Sequence, residues 1–397
     1  MNMGRTNSVI LICSSNNYNE LGLVRSFGEC RIRPFGIIIC KKNFWKKEWV
    51  HRSKYWEKCF RVDSAEQAIE LLEKNFSNFS LKPVVITPID YVVQMLDKNY
   101  EQLSKTFILP NMGEKNNGIN DFASKLKQAE LTKSLGFEAL PTKIMYMDNF
   151  STKDILENEY PLLLKPVQGG EGAKDDITIC KTKQDLSLAI EFFRKKAYKR
   201  ILVQSYLENR QEIVAFGTIS KEKNLVSYTT LSNIRQWPLS YGVGSFAKLV
   251  TEEETNSLVK DLFTALKNFG YDGAIDVELF RDKDTGKFYV SEYNWRPGGR
   301  NFTSLGTKVY SIVLWYLVKT GQHIKGLKVI NDKNGYSMND MADFNHVLAK
   351  NISRKDWKKD YKRSCAYALR NRRDVKPTII PRLTLLKDKI KGFFKKR

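Results

Sequence analysis

Apolar and polar positions along the chain change period several times, and each change marks an element. Val9–Cys13 is an unbroken apolar run and Gly36–Cys40 another, the character of strands buried on both faces. Asn19–Phe27 between them reads as a short helix. Ala65–Asn75 predicts a second helix, Val84–Thr87 a strand and Val92–Leu103 a further helix. Strand and helix alternating in this way imply a small parallel sheet, open and doubly wound. That sheet is either a scaffold or a holder of substrate, because ligands commonly lie at the C-terminal ends of such strands.

The pattern changes at Asp121. A helix over Phe122–Leu135 stops at Gly136, and extended chain follows over Leu140–Met145 with Pro141 confirming the stop. Pro161–Val167 and Ile177–Cys180 read as strands joined by the glycine-rich Gln168–Gly172. A helix at Lys183–Lys196, a strand at Ile201–Tyr206 and an antiparallel run, Ile213–Ile219 and Leu225–Thr230, complete one lobe. Helix Glu252–Phe269 then leads to a hairpin, Ala274–Phe280 and Phe288–Asn294, that opens a second. The division expected is α/β with α+β lobes: a Rossmann-like N-terminal domain over 1–118, a two-lobed domain over 119–330 (lobes about 140–230 and 231–330), and a basic helical extension over 331–397.

Composition narrows the chemistry. The 397 residues are 42% hydrophobic and 12% aromatic, ordinary for a globular chain. Six cysteines are scattered without a C-x-x-C pair, which reads as reduced thiols rather than a zinc site. Only three histidines occur, so chemistry should rest on Lys, Arg and carboxylates. With no signal-peptide pattern and no run of roughly 18 apolar residues, the expectation is a cytoplasmic protein.

Candidate chemistry centres on the hairpin. A turn centred on Thr285 would pair Phe280 with Val290 and set Glu278 opposite Glu292, with Asp276 and Asn294 on the same face. Facing carboxylates repel unless a cation lies between them, and two carboxylates plus an amide oxygen suit Mg²⁺ held together with phosphates. Arg296 continues the polar row and would aim delocalised charge at a transferring phosphoryl or an oxyanion. The competing reading is a solvated acidic face. Lys165, interrupting the apolar Leu162–Leu164, needs an anion if buried, and the glycines after it let backbone amides approach phosphates. The competing reading there is ordinary turn chemistry, and no Walker loop is present.

In order and spacing, with Gln204–Glu208 between them, these segments resemble the ATP-grasp superfamily from about Asp121 to about Gly299. The resemblance implies ATP with Mg²⁺ (or Mn²⁺) as cofactors and assigns residues. Lys125 and Lys165 would hold ATP phosphates beneath a flap of Gln168, Gly169, Gly170 and Gly172, with Lys165 also catalytic. Gln204, Tyr206 and Leu207 would hold adenine, with Glu212 on the ribose. Glu278, Glu292 and Asn294 would bind the metal, and Arg296 would be the catalytic arginine. Where Gln204 stands many members have Glu, and their flaps carry more glycine. Asn19–Ser26 also looks like the opening of the small domain in carboxylate–amine ligases similar to D-aspartate ligase. Ile234–Pro238 with Gly242 and Gly244 resembles the same group, which makes Arg235 a candidate grip on a substrate carboxylate, against the alternative of a surface arginine in a loop.

The implied reaction activates a carboxylate as an acyl phosphate and passes it to an amine. The resemblance suggests an amino acid and a cell-wall or surface-polysaccharide precursor as small-molecule substrates. Residues 351–397 hold 17 of the Lys and Arg against 4 Asp and Glu, +13 of a total +22. Within 381–397, Leu383, Leu386, Ile390, Phe393 and Phe394 fall near helical spacing among lysines, which suits an anionic membrane at the inner face of the cell, or a basic helix packed on the enzyme. Rival classes are a basic nucleic-acid-binding protein, disfavoured because no nucleic-acid motif appears, and a nucleotide sensor on a degenerate ATP-grasp fold. Oligomeric state is not written in the sequence.

Overall fold

The computed structural model describes residues 6–167, 176–239 and 242–381. The chain forms two compact units, one of Met1–Asn120, Ala215–Asp276 and Asn294–Arg397, the other of Asp121–Val214 and Val277–Tyr293. These units cut across the consecutive division 1–118, 119–330 and 331–397. The reason is local: the boundaries fall inside the strands Arg210–Ser220, Tyr271–Asp282 and Phe288–Asn294, where composition does not shift.

In the first unit, β1 (Val9–Ser14), β2 (Phe35–Ile39), β3 (Lys58–Val62) and β4 (Val84–Ile86) form a parallel sheet in the order β3-β2-β1-β4. Helices α1 (Tyr18–Glu29), α2 (Ala65–Phe76) and α3 (Asp90–Lys98) accompany it. Val9, Leu11 and Cys13 pack in one core with Leu23 and Phe27 of α1. Ile10 and Ile12 pack in another with Ala68 and Leu72 of α2 and Val92 and Leu96 of α3. Successive residues of β1 therefore serve opposite faces, which explains its unbroken apolar run and gives the expected doubly wound sheet. Gly22 lets α1 approach the chain closely, since a Cβ there would lie 2.8 Å from the Phe302 nitrogen. The helix expected over Val92–Leu103 is interrupted at Asn99, with only a single turn, Tyr100–Leu103, beyond it.

The same unit holds an antiparallel array in which Leu225–Trp237 pairs with Val243–Val250, and Val243–Val250 with Tyr336–Met338. Ser364–Tyr367 adds to Tyr336–Met338 in parallel. The segment expected as a helical extension thus supplies two sheet strands besides the helices Asp340–Leu348 and Arg354–Arg363. Strands of three or four residues are too short to show a period, so the sequence does not announce them.

A buried ion pair fixes the C-terminal part of this unit. Arg25 Nε on α1 lies 2.9 Å from Asp374 Oδ2, both side chains essentially without exposure. Arg25 also donates to the carbonyls of Ala368 and Leu369, and Asp374 accepts from the Ser53 hydroxyl and the Lys54 amide. Burial lowers the Arg25 pKa and Asp374 opposes that shift.

The second unit contains an antiparallel sheet ordered Thr142–Tyr146, Arg200–Ser205, Leu162–Pro166, Thr178–Cys180. Leu162, Leu164, Ile201 and Val203 pack with Leu186, Ile190 and Phe193 of the helix Lys183–Lys195.

Asp374→Ala leaves the Arg25 charge buried without its partner, a change that costs about 3–5 kcal/mol. The expected result is a matching fall in unfolding free energy in a urea titration; an unchanged midpoint would show that the pair is not a structural tie.

Candidate active site

In the second unit, helix Lys125–Ser134 starts where it does because the Ser124 side chain accepts from the Lys127 amide. Gln128 then ties this helix to strand Phe288–Asn294. Its side-chain nitrogen donates to the Tyr293 carbonyl at 2.9 Å, and its oxygen accepts from the Tyr293 amide at 3.0 Å. The Thr132 and Tyr293 hydroxyls meet at 2.9 Å. With helix and strand held in this way, Lys125 Nζ lies 2.6 Å from Glu292 Oε2. A pocket of this unit is lined by Lys125, Gln128, Thr132, Gln204, Glu292 and Tyr293, among others.

Lys165 joins the same group. Leu162 and Leu164 turn into the core of the lobe, and strand alternation sends Lys165 to the other face. Burial, and next the charge of Lys125, push the Lys165 ammonium down to about 7, while Glu292 and Glu278 act in the opposite sense. Two lysines and two carboxylates of the expected set therefore converge. Gln204 stands on the neighbouring strand opposite Leu163, its amide nitrogen 2.9 Å from the Thr142 hydroxyl.

The hinge residues carry partners of their own. The Tyr206 amide donates to the Pro161 carbonyl. Arg210 donates to the Leu207 carbonyl at 3.0 Å and to Glu212 Oε1 at 3.3 Å, and it covers the Tyr206 ring at 4.6 Å. A ribose hydroxyl would share Glu212 with Arg210. Sequence reasoning missed Arg210, although its position two residues before Glu212 puts both on one strand face. The flap residues Gln168, Gly169, Gly170 and Gly172 lie outside the described residues.

The hairpin turn differs from the symmetric one expected. The Asp282 amide donates to the Lys287 carbonyl and the Gly286 amide to the Asp282 carbonyl, so the turn centres between Asp284 and Thr285 rather than on Thr285. The Asp282 carboxylate sets this geometry by accepting from the Asp284 amide and the Thr285 hydroxyl, with Gly286 at φ +73°.

Asn294 and Arg296 belong to the first unit. Arg296 makes a two-pronged pair with Asp90 at the start of α3, at 2.8 and 3.1 Å, and donates to Asn294 Oδ1 at 3.3 Å. Glu20 of α1 is also within its electrostatic reach. That carboxylate is buried at the C-terminal end of β1, accepts from the Ser14 amide and hydroxyl, and has its pKa raised by desolvation. The charge of Glu20 on the otherwise apolar face of α1 was the signal sequence reasoning passed over. Arg300 was also missed. It is buried, donates to Asn233 Oδ1 at 2.9 Å, and has no partner for Nη1 among the described residues. Gly244 makes room for it, since a Cβ there would fall 2.1 Å from Arg300 Nη2.

Arg235 is not in a loop, and its guanidinium is already paired within the protein. It lies on strand Leu225–Trp237, where register shifts on either side of it re-aim the side chain. Its guanidinium contacts Asp343 at 2.8 and 3.1 Å and Asp360 at 2.6 Å, and stacks over Phe246.

No three His, Cys, Asp or Glu side chains gather as a metal cage among the described residues. Glu278 and Glu292 fit Mg²⁺ nonetheless, because that ion binds through one or two carboxylates plus substrate phosphates, and two lysines stand beside them to take those phosphates.

Residues 122–299 match the family model for the carbamoyl-phosphate synthase L chain ATP-binding domain. Carbamoyl-phosphate synthase of Methanobrevibacter smithii is 24% identical over 235 residues, 56% of this chain and 59% of that protein. The chain thus spans about three fifths of the length of this curated relative. Among solved structures, N5-carboxyaminoimidazole synthetase of Staphylococcus aureus complexed with ADP superimposes with TM-score 0.63 at 14% identity, covering 92% of this chain and 93% of that one. An L-amino acid ligase of Bacillus licheniformis does so with TM-score 0.58 at 16% identity, covering 84% and 80%.

The depressed Lys165 pKa sets a proton linkage. A phosphate group drawn beside the ammonium raises that pKa, so binding a nucleotide above about pH 7 takes up a proton and affinity falls as pH rises. Calorimetric titration with MgADP in buffers of different ionisation enthalpy should show this uptake, and Lys165→Met should abolish it. Equal heats in all buffers would place the Lys165 charge elsewhere.

Proposed function

We propose, from the premise that residues 122–299 form an ATP-grasp domain, that the protein is an ATP-dependent carboxylate–amine ligase. The observation that carries this reading is the convergence of Lys125, Lys165, Glu278 and Glu292 in one unit. The lysines orient the phosphates of ATP; Gln204, Tyr206 and Leu207 face its base. Glu278, Glu292 and Asn294 would hold Mg²⁺, which would supply neutralisation of the phosphate charge.

A carboxylate oxygen of the first substrate bonds to the γ-phosphorus as the bond to ADP breaks, giving an acyl phosphate. The amine nitrogen of the second substrate then bonds to the acyl carbon, and phosphate leaves as that nitrogen loses its proton. Arg296 is the group for the negative charge that develops on the acyl oxygen. Its present partner, Asp90, has a side chain 62% exposed, so water can take over that carboxylate when Arg296 turns to substrate.

The substrates that fit the resemblance are an amino acid and an amine on a cell-wall or surface-polysaccharide precursor, and the L-amino acid ligase among the structural neighbours supports an amino-acid carboxylate. Such a precursor is met at the inner face of the cell membrane, and the basic, amphipathic 381–397 is the segment we assign to that surface. No helix of the described residues is long and apolar enough to cross a membrane.

ADP release with MgATP and a panel of amino acids, each with and without hydroxylamine, tests the chemistry. One acid should stimulate release and be trapped as its hydroxamate, and Glu292→Gln should abolish both. Arg296→Ala should lower kcat by about 10²–10³-fold with nucleotide binding retained. Tight ATP binding without turnover on any acid would overturn the amino-acid assignment.

A further inference from the structure

Two cationic segments of the first unit, distant in sequence, are stitched together by the Asp374 carboxylate. The first is the connection after β2, residues 41–54, with six basic residues against the single acid Glu48. Its base is anchored in the core. Trp49 and Val50 are buried with their amides on the Ser15 carbonyl, and Trp45 stacks on His51 with ring centroids 3.8 Å apart. The tip is thereby held outward, with Lys41, Lys42, Lys46 and Lys47 exposed and Phe44 46% exposed among them.

The second segment is 370–380. Arg372, Arg373 and Lys376 are exposed, as are Val375 and Ile379, while its one acid, Asp374, is turned inward onto Arg25, Ser53 and Lys54. Arg373 also pairs with Glu29. Chain 376–381 is helical and leads directly to the tail. With Asp374 turned inward and Glu48 half-buried, the exterior of both segments is mainly cationic, and both add exposed apolar side chains to it. A soluble polyanion has no use for an exposed phenylalanine and aliphatics, whereas the headgroup–acyl boundary of an anionic bilayer takes both.

We propose that the loop tip 41–47 is a second membrane-contact element, acting with 370–380 as one docking face on anionic lipid beside the tail. This rests on the membrane reading of 381–397 and adds an independent contact to it. Cosedimentation of the full chain with vesicles of phosphatidylcholine, alone or mixed with phosphatidylglycerol, tests it, with MgADP binding as the check on folding. The full chain should bind only the anionic vesicles, less at high salt. Lys46→Gln/Lys47→Gln should weaken this by about 30-fold, at about 5-fold per charge, and Phe44→Ser should weaken it further. The tail variant Phe393→Ser/Phe394→Ser/Lys395→Gln/Lys396→Gln should retain measurable, Phe44-dependent binding. If the full chain binds no vesicle, the membrane reading itself fails. Loss of all binding in the tail variant with none in the loop variants would overturn only the second contact. Binding blocked by polyphosphate and indifferent to Phe44→Ser would make a soluble polyanion the partner and overturn the proposal.

Discussion

The reciprocal bond between the Gln128 side chain and the Tyr293 backbone is the constraint on which the candidate site depends. A buried amide that both donates to and accepts from one residue fixes the angle and the register of a helix against a strand, and leaves neither polar group unsatisfied. Lys125 at the start of that helix and Glu292 next to Tyr293 are then at hydrogen-bond distance without further adjustment. The charges of the candidate site are carried by long side chains, so their meeting depends on this short connection between the elements that bear them.

Around that frame the charges are mutually dependent. Burial and the charge of Lys125 push the Lys165 ammonium down to about 7, and the two glutamates offset part of that shift. A site of this kind has capacity for anions that it does not itself satisfy: phosphate oxygens relieve the repulsion between the lysines, and a divalent cation relieves that between the carboxylates.

Two arginines read alike in sequence and are unlike in structure, and burial of the partner decides between them. Asp343 is fully buried beneath Arg235, and removing a guanidinium from a buried carboxylate costs about 3–5 kcal/mol. The Asp90 side chain, paired with Arg296, faces solvent instead. Arg235 therefore fastens the helices Asp340–Leu348 and Arg354–Arg363 to the strand that carries it, whereas the carboxylate that Arg296 meets can be resolvated by water.

By itself the sequence determined the elements whose apolar period is long or unbroken. These include the doubly wound sheet around β1, the helices after Ser124 and Thr182, the strand that presents Lys165, and the hairpin bearing Glu278, Glu292 and Asn294. It did so because alternation and helical period are local properties, and a charged residue breaking an apolar run is visible without a partner. The tertiary structure alone decided what each charge meets. Arg235 is consumed by Asp343 and Asp360, Glu212 is shared with Arg210, Glu20 and Arg300 are buried, and Asp360 and Asp374 turn inward while Lys362, Arg363, Arg372, Arg373 and Lys376 stay exposed. It also drew residues after Asn294 into the first unit through strands of three and four residues. The partners of Arg235 and of Asp374 come from segments more than a hundred residues away, and no periodicity within either segment encodes the distance between them.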